Sequence, residues 1–337
     1  MQSQRRVTIR EVAQTAGVSV ATVSKVLNDR YGVSEATAAR VREVISRLGY
    51  ESSLVARSLR NHRTNVIGVL VADFEPYSAE VLKGVADAIR GTEYELVAYA
   101  AARRVGDHIG WERRHLTRLS GTLIDGAVLV TPTVTEIVAS VPIVVVDPHT
   151  GRADIPTVDA DNLRGGYLAA RHLIDLGHRR IAMITGRPDL MSAQLREKGF
   201  RAAFAESGMP IDEEFFASGE FDPETAEPAA ESLLKLAEPP TAIFAANDAT
   251  ALTTLSVAQR LGFDVPGDLS IVGFDNVSDA AMSTPPLTTV EQPLREMGRR
   301  AIELLIGRLR QSDDGVRHVR LDTRLVERAS TAPPKEE

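Results

Sequence analysis

The chain has 337 residues, 43% of them hydrophobic and 25% charged, and contains no cysteine. That length exceeds one ordinary core and suggests two or three units, and the missing cysteines exclude disulfides and thiolate metal sites. The apolar runs, such as 66–72 and 143–146, fall far short of the roughly 20 residues a membrane span needs. The opening MQSQRRVTIR has no apolar stretch behind its arginines to serve as an export signal. A cytoplasmic, nucleoid-associated protein with no membrane partner is therefore expected.

The net charge of −7 alone argues against a nucleic-acid ligand. Its distribution argues the other way. Residues 1–60 carry ten Lys/Arg against five Asp/Glu, a balance of +5, which leaves −12 for residues 61–337. A basic module on an acidic body is what phosphate contact requires, although a charged helical surface that binds nothing would look the same.

Three short helices are expected at the N-terminus. Thr8-Ile9-Arg10-Glu11 has capping-box spacing, with Ile9, Val12, Ala13 and Ala16 on one face and Gly17 as the stop. Ser19 is placed to cap a second helix, whose inward set is Val23, Val26 and Leu27. Val20, Ala21, Thr22, Ser24, Lys25 and Asn28 then face outward. Ser34 begins a third helix with Val41, Val44, Ile45 and Leu48 as its stripe. Two helices joined by a Gly-containing turn form the motif whose second helix enters the major groove. Small residues allow close approach to bases, and Thr22, Ser24 and Asn28 can donate to phosphates. A plain three-helix bundle would satisfy the same spacing.

The segment from Val7 to Asn28, with Val33-Ser-Glu-Ala-Thr37 and Leu48-Gly-Tyr50, closely resembles the headpiece of the lactose/galactose repressor family. The resemblance implies that Val20, Ala21 and Lys25 read bases. Thr8, Ser19, Ser34, Thr37, Tyr50 and Ser53 are counted as DNA-binding residues with them. The family usually has arginine where Lys25 stands, and a lysine lacks the bidentate fork that suits guanine.

The headpiece is expected over 1–51, followed by a hinge helix and linker over 52–65. Alone that helix would be marginal. The resemblance implies that it folds when two protomers lie side by side on DNA. Leu59 would then wedge into a minor-groove base step, and Ala56 and Val55 would touch the partner. Arg57 and Arg60 are phosphate candidates. Packing of Leu54, Val55 and Leu59 on the core is the alternative.

From residue 66 the chain alternates apolar strands (66–72, 95–100, 127–130, 143–147, 181–185, 242–246, 270–274) with helices (79–90, 164–176, 197–207, 223–236, 249–261). A return segment (287–292), a helix (294–309) and a final stretch (319–326) follow. Strands apolar along their whole length and separated by helices predict parallel sheets covered on both faces. The expected architecture is α/β: two doubly wound lobes of the periplasmic-binding-protein type over 66–337. One lobe takes about 66–161 and 291–322, the other about 162–290 and 323–337. Ligands in such folds bind beyond the carboxyl ends of the strands. Those ends carry Asp73, Asp147, Asn247 and Asp275, with Arg196 opening the helix after the 181–185 strand. Phe74, Tyr77 and Phe221 are there to stack on a sugar face. Singly, Asp and Asn at strand ends are as readily turn or cap residues.

The blocks 192–200, 245–251, 268–275, 285–290 and 325–333 also resemble this family's sensor, which extends the similarity from Val7 to Pro333. It implies that Arg196, Asn247 and Asp275 grip effector hydroxyls with Asp147 facing them, and Gln292 joins the set. A homodimeric repressor on a pseudo-palindromic operator follows, with a sugar or glycoside as effector or, alternatively, a purine or a protein corepressor. A transport-type sugar-binding protein is the second reading, opposed by the missing export signal. An enzyme is the third, but GxSxG, GxxxxGK[ST] and GxGxxG are absent and the seven His show no metal-ligand spacing. Neither cofactor nor metal is expected.

Overall fold

The computed structural model describes residues 7–27, 31–50, 63–100, 110–120, 123–133, 137–149, 154–311, 315 and 317–335. At the N-terminus lie α1 (Ile9–Ala16), α2 (Val20–Leu27) and α3 (Glu35–Leu48). The capping box forms: the Thr8 amide donates to the Glu11 carboxylate at 2.7 Å, and the Glu11 amide donates to Thr8 Oγ1 at 3.4 Å. Gly17 closes α1 in the left-handed region that most side chains avoid (φ 63°). Val12, Ala13, Ala16, Val23, Val26, Val41 and Val44 form one small core, with Ile9, Leu27, Ile45 and Leu48 packed around it. Asn28 and the hinge residues Ser53, Val55, Ala56, Arg57, Leu59 and Arg60 lie outside the described residues.

The sensor is built on two six-stranded sheets. The first holds β1 (Val66–Val71), β2 (Glu95–Ala100), β3 (Gly126–Val130), β4 (Ile143–Val146), β5 (Thr157–Ala160) and β11 (His318–Leu321). Its order is β11-β5-β4-β3-β1-β2, and every neighbouring pair is parallel. The second holds β6 (Ile181–Thr185), β7 (Phe216–Ser218), β8 (Ala242–Ala245), β9 (Ser270–Asp275), β10 (Thr288–Glu291) and β12 (Arg324–Val326). Its order is β12-β10-β9-β8-β6-β7, parallel except for the β10–β12 edge. Strands β1, β3, β4, β8 and β9 are buried end to end, which is why they read as unbroken apolar runs.

The helices are α4 (Pro76–Ile89), α5 (Trp111–Leu119), α6 (Asn162–Asp175), α7 (Met191–Glu206), α8 (Pro223–Leu234), α9 (Asp248–Arg260), α10 (Ser278–Met282) and α11 (Leu294–Leu309). Three of their features depart from the sequence reading. First, α4 begins at Pro76 instead of residue 79, with proline at a first-turn position where its missing N–H is harmless. Second, α7 begins at Met191, so Arg196 sits in its second turn and does not open it. Third, the single final stretch 319–326 is two strands, one in each sheet, parted at Asp322-Thr323. Strands β5 and β7 and helix α5 add to what was read; β5 is Thr-Val-Asp-Ala, too short and mixed to register as an apolar run.

The chain passes between the lobes at β5–α6, β10–α11 and β11–β12, and each passage carries a buried polar side chain: Asn162, Gln292 and Thr323. In each lobe two helices cross at glycines. A Cβ on Gly84 would lie 1.9 Å from the Arg295 carbonyl oxygen, and one on Gly298 would lie 2.1 Å from that of Val81. In the second lobe, a Cβ on Gly166 would lie 2.0 Å from the Arg196 carbonyl oxygen, and one on Gly199 would lie 2.0 Å from that of Leu163. Backbone meets backbone at these crossings, so neither can absorb a methyl. Gly199→Ala is expected to cost about 1–3 kcal/mol of stability and to displace Arg196, lowering effector affinity as well. Thermal melting with ligand titration checks both outcomes.

Candidate DNA and effector sites

The headpiece surface follows from how α2 is capped. Ser19 Oγ accepts from the Thr22 amide at 3.1 Å and lies 2.9 Å from Thr22 Oγ1. Ser34 repeats the arrangement with Thr37, 3.4 Å from its amide and 2.9 Å from its hydroxyl. Thr8 is engaged with Glu11. These hydroxyls hold helix starts, so phosphates would meet them as capped N-termini with donors pointing outward. Val20, Ala21 and Lys25 are exposed while Thr22 and Ser24 are half-buried, so the residues expected to read bases form the open face of α2. Val20, a large apolar side chain, stays 40% exposed. Tyr50 packs half-buried against the headpiece core.

The sensor residues converge where the two lobes meet. Arg196 is almost fully buried. Its Nε donates to Asn162 Oδ1 at 2.8 Å, and its Nη1 donates to the Ala246 carbonyl at 2.5 Å and stands 3.7 Å from Asp275 Oδ1. The guanidinium carbon lies 3.8 Å from the centroid of Phe274 and 5.3 Å from that of Phe221. Asp275 accepts from Gln292 Nε2 at 2.6 Å and has φ 112°, a conformation unusual for a non-glycine residue. Gln292 Oε1 is buried with no protein partner. Asn247 caps α9 through the Thr250 amide (3.0 Å), and its Nδ2 holds the Phe221 carbonyl at 3.3 Å. Phe221, with φ 61°, lays its ring over Gly186, where a Cβ would come within 2.1 Å of it.

From the first lobe, Asp147 is buried, with Arg196 and Ser192 of the other lobe near enough to pull its carboxyl down. Burial pushes its carboxyl up to about 6, against the pull of Arg196. Burial also raises Asp275 well above the ordinary carboxylate range, again against Arg196. Tyr77 is half-buried, but its hydroxyl is fully enclosed without a hydrogen-bonding partner at short range. Burial, with Asp147 and Asp275 nearby, raises that phenol well above its usual value. Asp73 and Phe74 lie on the loop after β1. Both are exposed, Phe74 to 57%, and Asp73 accepts from the Phe74 amide at 2.7 Å.

Sequence reasoning missed Ser192 and Asn162. Asp248 is fully buried, accepting from Thr289 Oγ1 (2.6 Å) and the Val277 amide (2.9 Å), and it braces the β9–α10 turn beside Asp275. A separate cavity of about 570 Å³, lined by Arg179, Phe200, Phe204, Phe216 and neighbours, lies on the second lobe away from this cluster. Its acidic residues are already engaged, Asp212 as a cap and Glu213 with Arg201. The convergent buried polar groups are in the cleft.

Comparison with known proteins fits both sites. Residues 8–53 match the family of bacterial regulatory proteins of the lacI type, and residues 170–331 match a periplasmic binding protein-like domain. The chain is 36% identical over 335 residues to the HTH-type transcriptional repressor PurR of Aliivibrio fischeri strain MJ11, covering 96% of this chain and 98% of that one. The chain belongs to the lacI family of bacterial regulatory proteins. It is a DNA-binding transcriptional repressor with an effector-responsive sensor, and it is not an enzyme. PurR of Proteus mirabilis strain HI4320 is 35% identical over 334 residues, covering 96% and 97% of the two chains. Among solved structures, the transcriptional regulator CelR-cellobiose complex is 32% identical with TM-score 0.72, covering 96% of this chain and all of that one. The lac repressor dimer bound to operator and the anti-inducer ONPF is 25% identical with TM-score 0.81, covering 97% of this chain and all of that one. The two doubly wound lobes and the helix-turn-helix headpiece are thus the family's architecture.

Asp147 gives a pH prediction. Its carboxyl ionises at about 6 in the folded chain, above the ordinary value of 3.8. Between those values the folded state keeps a proton that the unfolded chain has lost, so stability falls as pH rises through the window. Asp147→Asn is expected to remove that fall and to melt above the wild type at pH 7.5. The same change should weaken effector binding about tenfold or more, because a charge-assisted acceptor is lost. Calorimetry across pH 4–8 and ligand titration read the two effects.

Proposed function

We propose that this repressor acts as a homodimer on a pseudo-palindromic operator, with Val20, Ala21 and Lys25 at the bases and a sugar or glycoside in the interlobe cleft setting operator affinity. The division that serves this role is a headpiece over 1–51, a hinge over 52–65 with Leu59 as the minor-groove wedge, and a sensor over 66–337. Asn28, Thr8, Ser19, Thr22, Ser24, Ser34, Thr37, Tyr50, Ser53 and Ala56 complete the proposed DNA face.

The observation carrying the effector reading is the donor–acceptor balance of the cleft. Asp147, Asp275 and Gln292 Oε1 are buried acceptors, while Arg196 is the facing cation and already serves Asn162 and Ala246. Two carboxylates against one occupied guanidinium favour a ligand rich in hydroxyl donors and oppose a phosphorylated or carboxylated one. Phe221 beside this set supplies an apolar wall of the kind that pyranose rings use. The complex of CelR with cellobiose, at 32% identity, supports the same class. A purine is the second reading: Phe221 and the guanidinium of Arg196, itself stacked on Phe274, also suit a flat base.

A thermal-shift panel of neutral mono- and disaccharides, their phosphates, purine bases and nucleosides decides between them. A ligand present at about 100 times its Kd stabilises by about 2.7 kcal/mol. Neutral saccharides are expected to shift the melting point while sugar phosphates do not; a shift by purine bases alone would replace the sugar reading. For the DNA face, Lys25→Ala is expected to lower operator affinity by about 1–3 kcal/mol and to narrow the gap between operator and random duplex. Fluorescence anisotropy at two salt concentrations measures this, and an unchanged ratio would remove Lys25 from base reading.

A further inference from the structure

The cleft has a second seam, outside the residues assigned to the effector. Two residues beyond Asp147, on the loop leaving β4, His149 reaches the other lobe by side chain and backbone together. Its Nε2 stands 3.6 Å from Asp189 Oδ2, and its carbonyl accepts from the Met191 amide at 3.3 Å. Asp189 is itself held on its own loop by Arg187, whose Nε and Nη2 donate at 3.1 and 2.6 Å. The His149 side chain is only 11% exposed, and its Nδ1 is enclosed without a protein partner.

We propose that His149 and Asp189 form a clasp across the mouth of the cleft, which holds the lobes closed over the effector. The significance of the clasp rests on the reading of the cleft as the effector site; its existence does not. Three features fit this role. The loops it joins, β4–β5 and β6–α7, lie at the carboxyl ends of strands from different sheets, so rotation of one lobe against the other must separate them. Asp147, two residues from His149, and Ser192, three from Asp189, are both buried, so each side of the seam runs on into a buried polar residue. Finally, Arg187 orients the Asp189 carboxylate before the lobes meet, so closure orders one fewer side chain.

The test is hydrogen–deuterium exchange of the full-length protein at residues 187–194, in ligand-free form and in excess cellobiose or ribose. His149→Ala and Asp189→Ala are each expected to speed exchange of this segment about threefold, the scale of a partly exposed ion pair. The double variant should be no faster than either single one, since both remove the same contact. His149→Gln, whose amide can replace Nε2 as donor, should restore protection. Unchanged exchange in the single variants, additive effects in the double one, or a wild type unprotected in every condition would overturn the clasp. Arg196→Ala run in parallel separates the two ideas. Saccharide-induced melting shifts that survive Arg196→Ala sink the cleft reading, whereas the ligand-free exchange result bears on the clasp alone.

Discussion

A guanidinium held almost without water is the constraint around which the sensor is arranged. Burying a charge is costly unless it is paired and hydrogen-bonded, and Arg196 draws its partners from across the fold. Asn162 lies where β5 enters α6, the Ala246 carbonyl follows β8, Asp275 ends β9, and Phe274 supplies the ring beneath. None of these can shift alone without leaving the cation short of a partner. The close α6–α7 crossing, set by Gly166 and Gly199, fixes the backbone from which Arg196 projects.

One of those partners, Asn162, and Gln292, which holds Asp275, lie on segments that connect the lobes, and this ties ligand chemistry to lobe geometry. Asn162 steadies Arg196 from the first passage, and Gln292 steadies Asp275 from the second. Thr323, on the third, donates to the Asp161 carbonyl, next to Asn162. A ligand that takes up Arg196 and Asp275 therefore pulls on side chains rooted in the hinge strands, without an intervening relay. Such a ligand alters operator affinity only to the extent that it prefers one lobe arrangement over the other. Gln292 Oε1 and the Tyr77 hydroxyl, buried with no protein partner, supply that preference. A closed cleft without ligand leaves them unsatisfied, and one holding hydroxyls does not.

What was legible in the sequence was local. The capping box of Thr8 and Glu11, the glycine stop at position 17 and the strand-end acids Asp147 and Asp275 all follow from short-range pattern or from the rule that parallel sheets bind ligands at strand ends. Asn162 and Ser192 went unread because their roles come from partners far along the chain; Asn162 meets Arg196 across 34 positions. The 319–326 stretch read as one segment, with the expected lobe boundary at 322/323 inside it, and the chain parts there into β11 and β12. Asp73 and Phe74 were grouped with the cleft because they follow β1. The early helix start at Pro76 shortens that loop, and Tyr77, on the helix itself, carries its hydroxyl to the neighbourhood of Asp147 and Asp275.

The two halves of the chain use charge in opposite ways, and the difference matches their ligands. The headpiece presents exposed cations such as Lys25 and capped helix starts on a small apolar core, so its affinity for a polyanion must come from many weak, salt-screened contacts. The sensor, at −12 over residues 61–337, has little to offer DNA. In its cleft it instead concentrates a few charges where water is excluded and each contact is strong. Weak distributed binding to DNA is readily overturned by a modest change elsewhere. A buried, fully matched grip on a small molecule can supply that change, because occupying or vacating it alters the satisfaction of several buried groups at once. The asymmetry between a salt-sensitive reader and a desolvated sensor is what lets a ligand of a dozen or so atoms govern a complex with DNA.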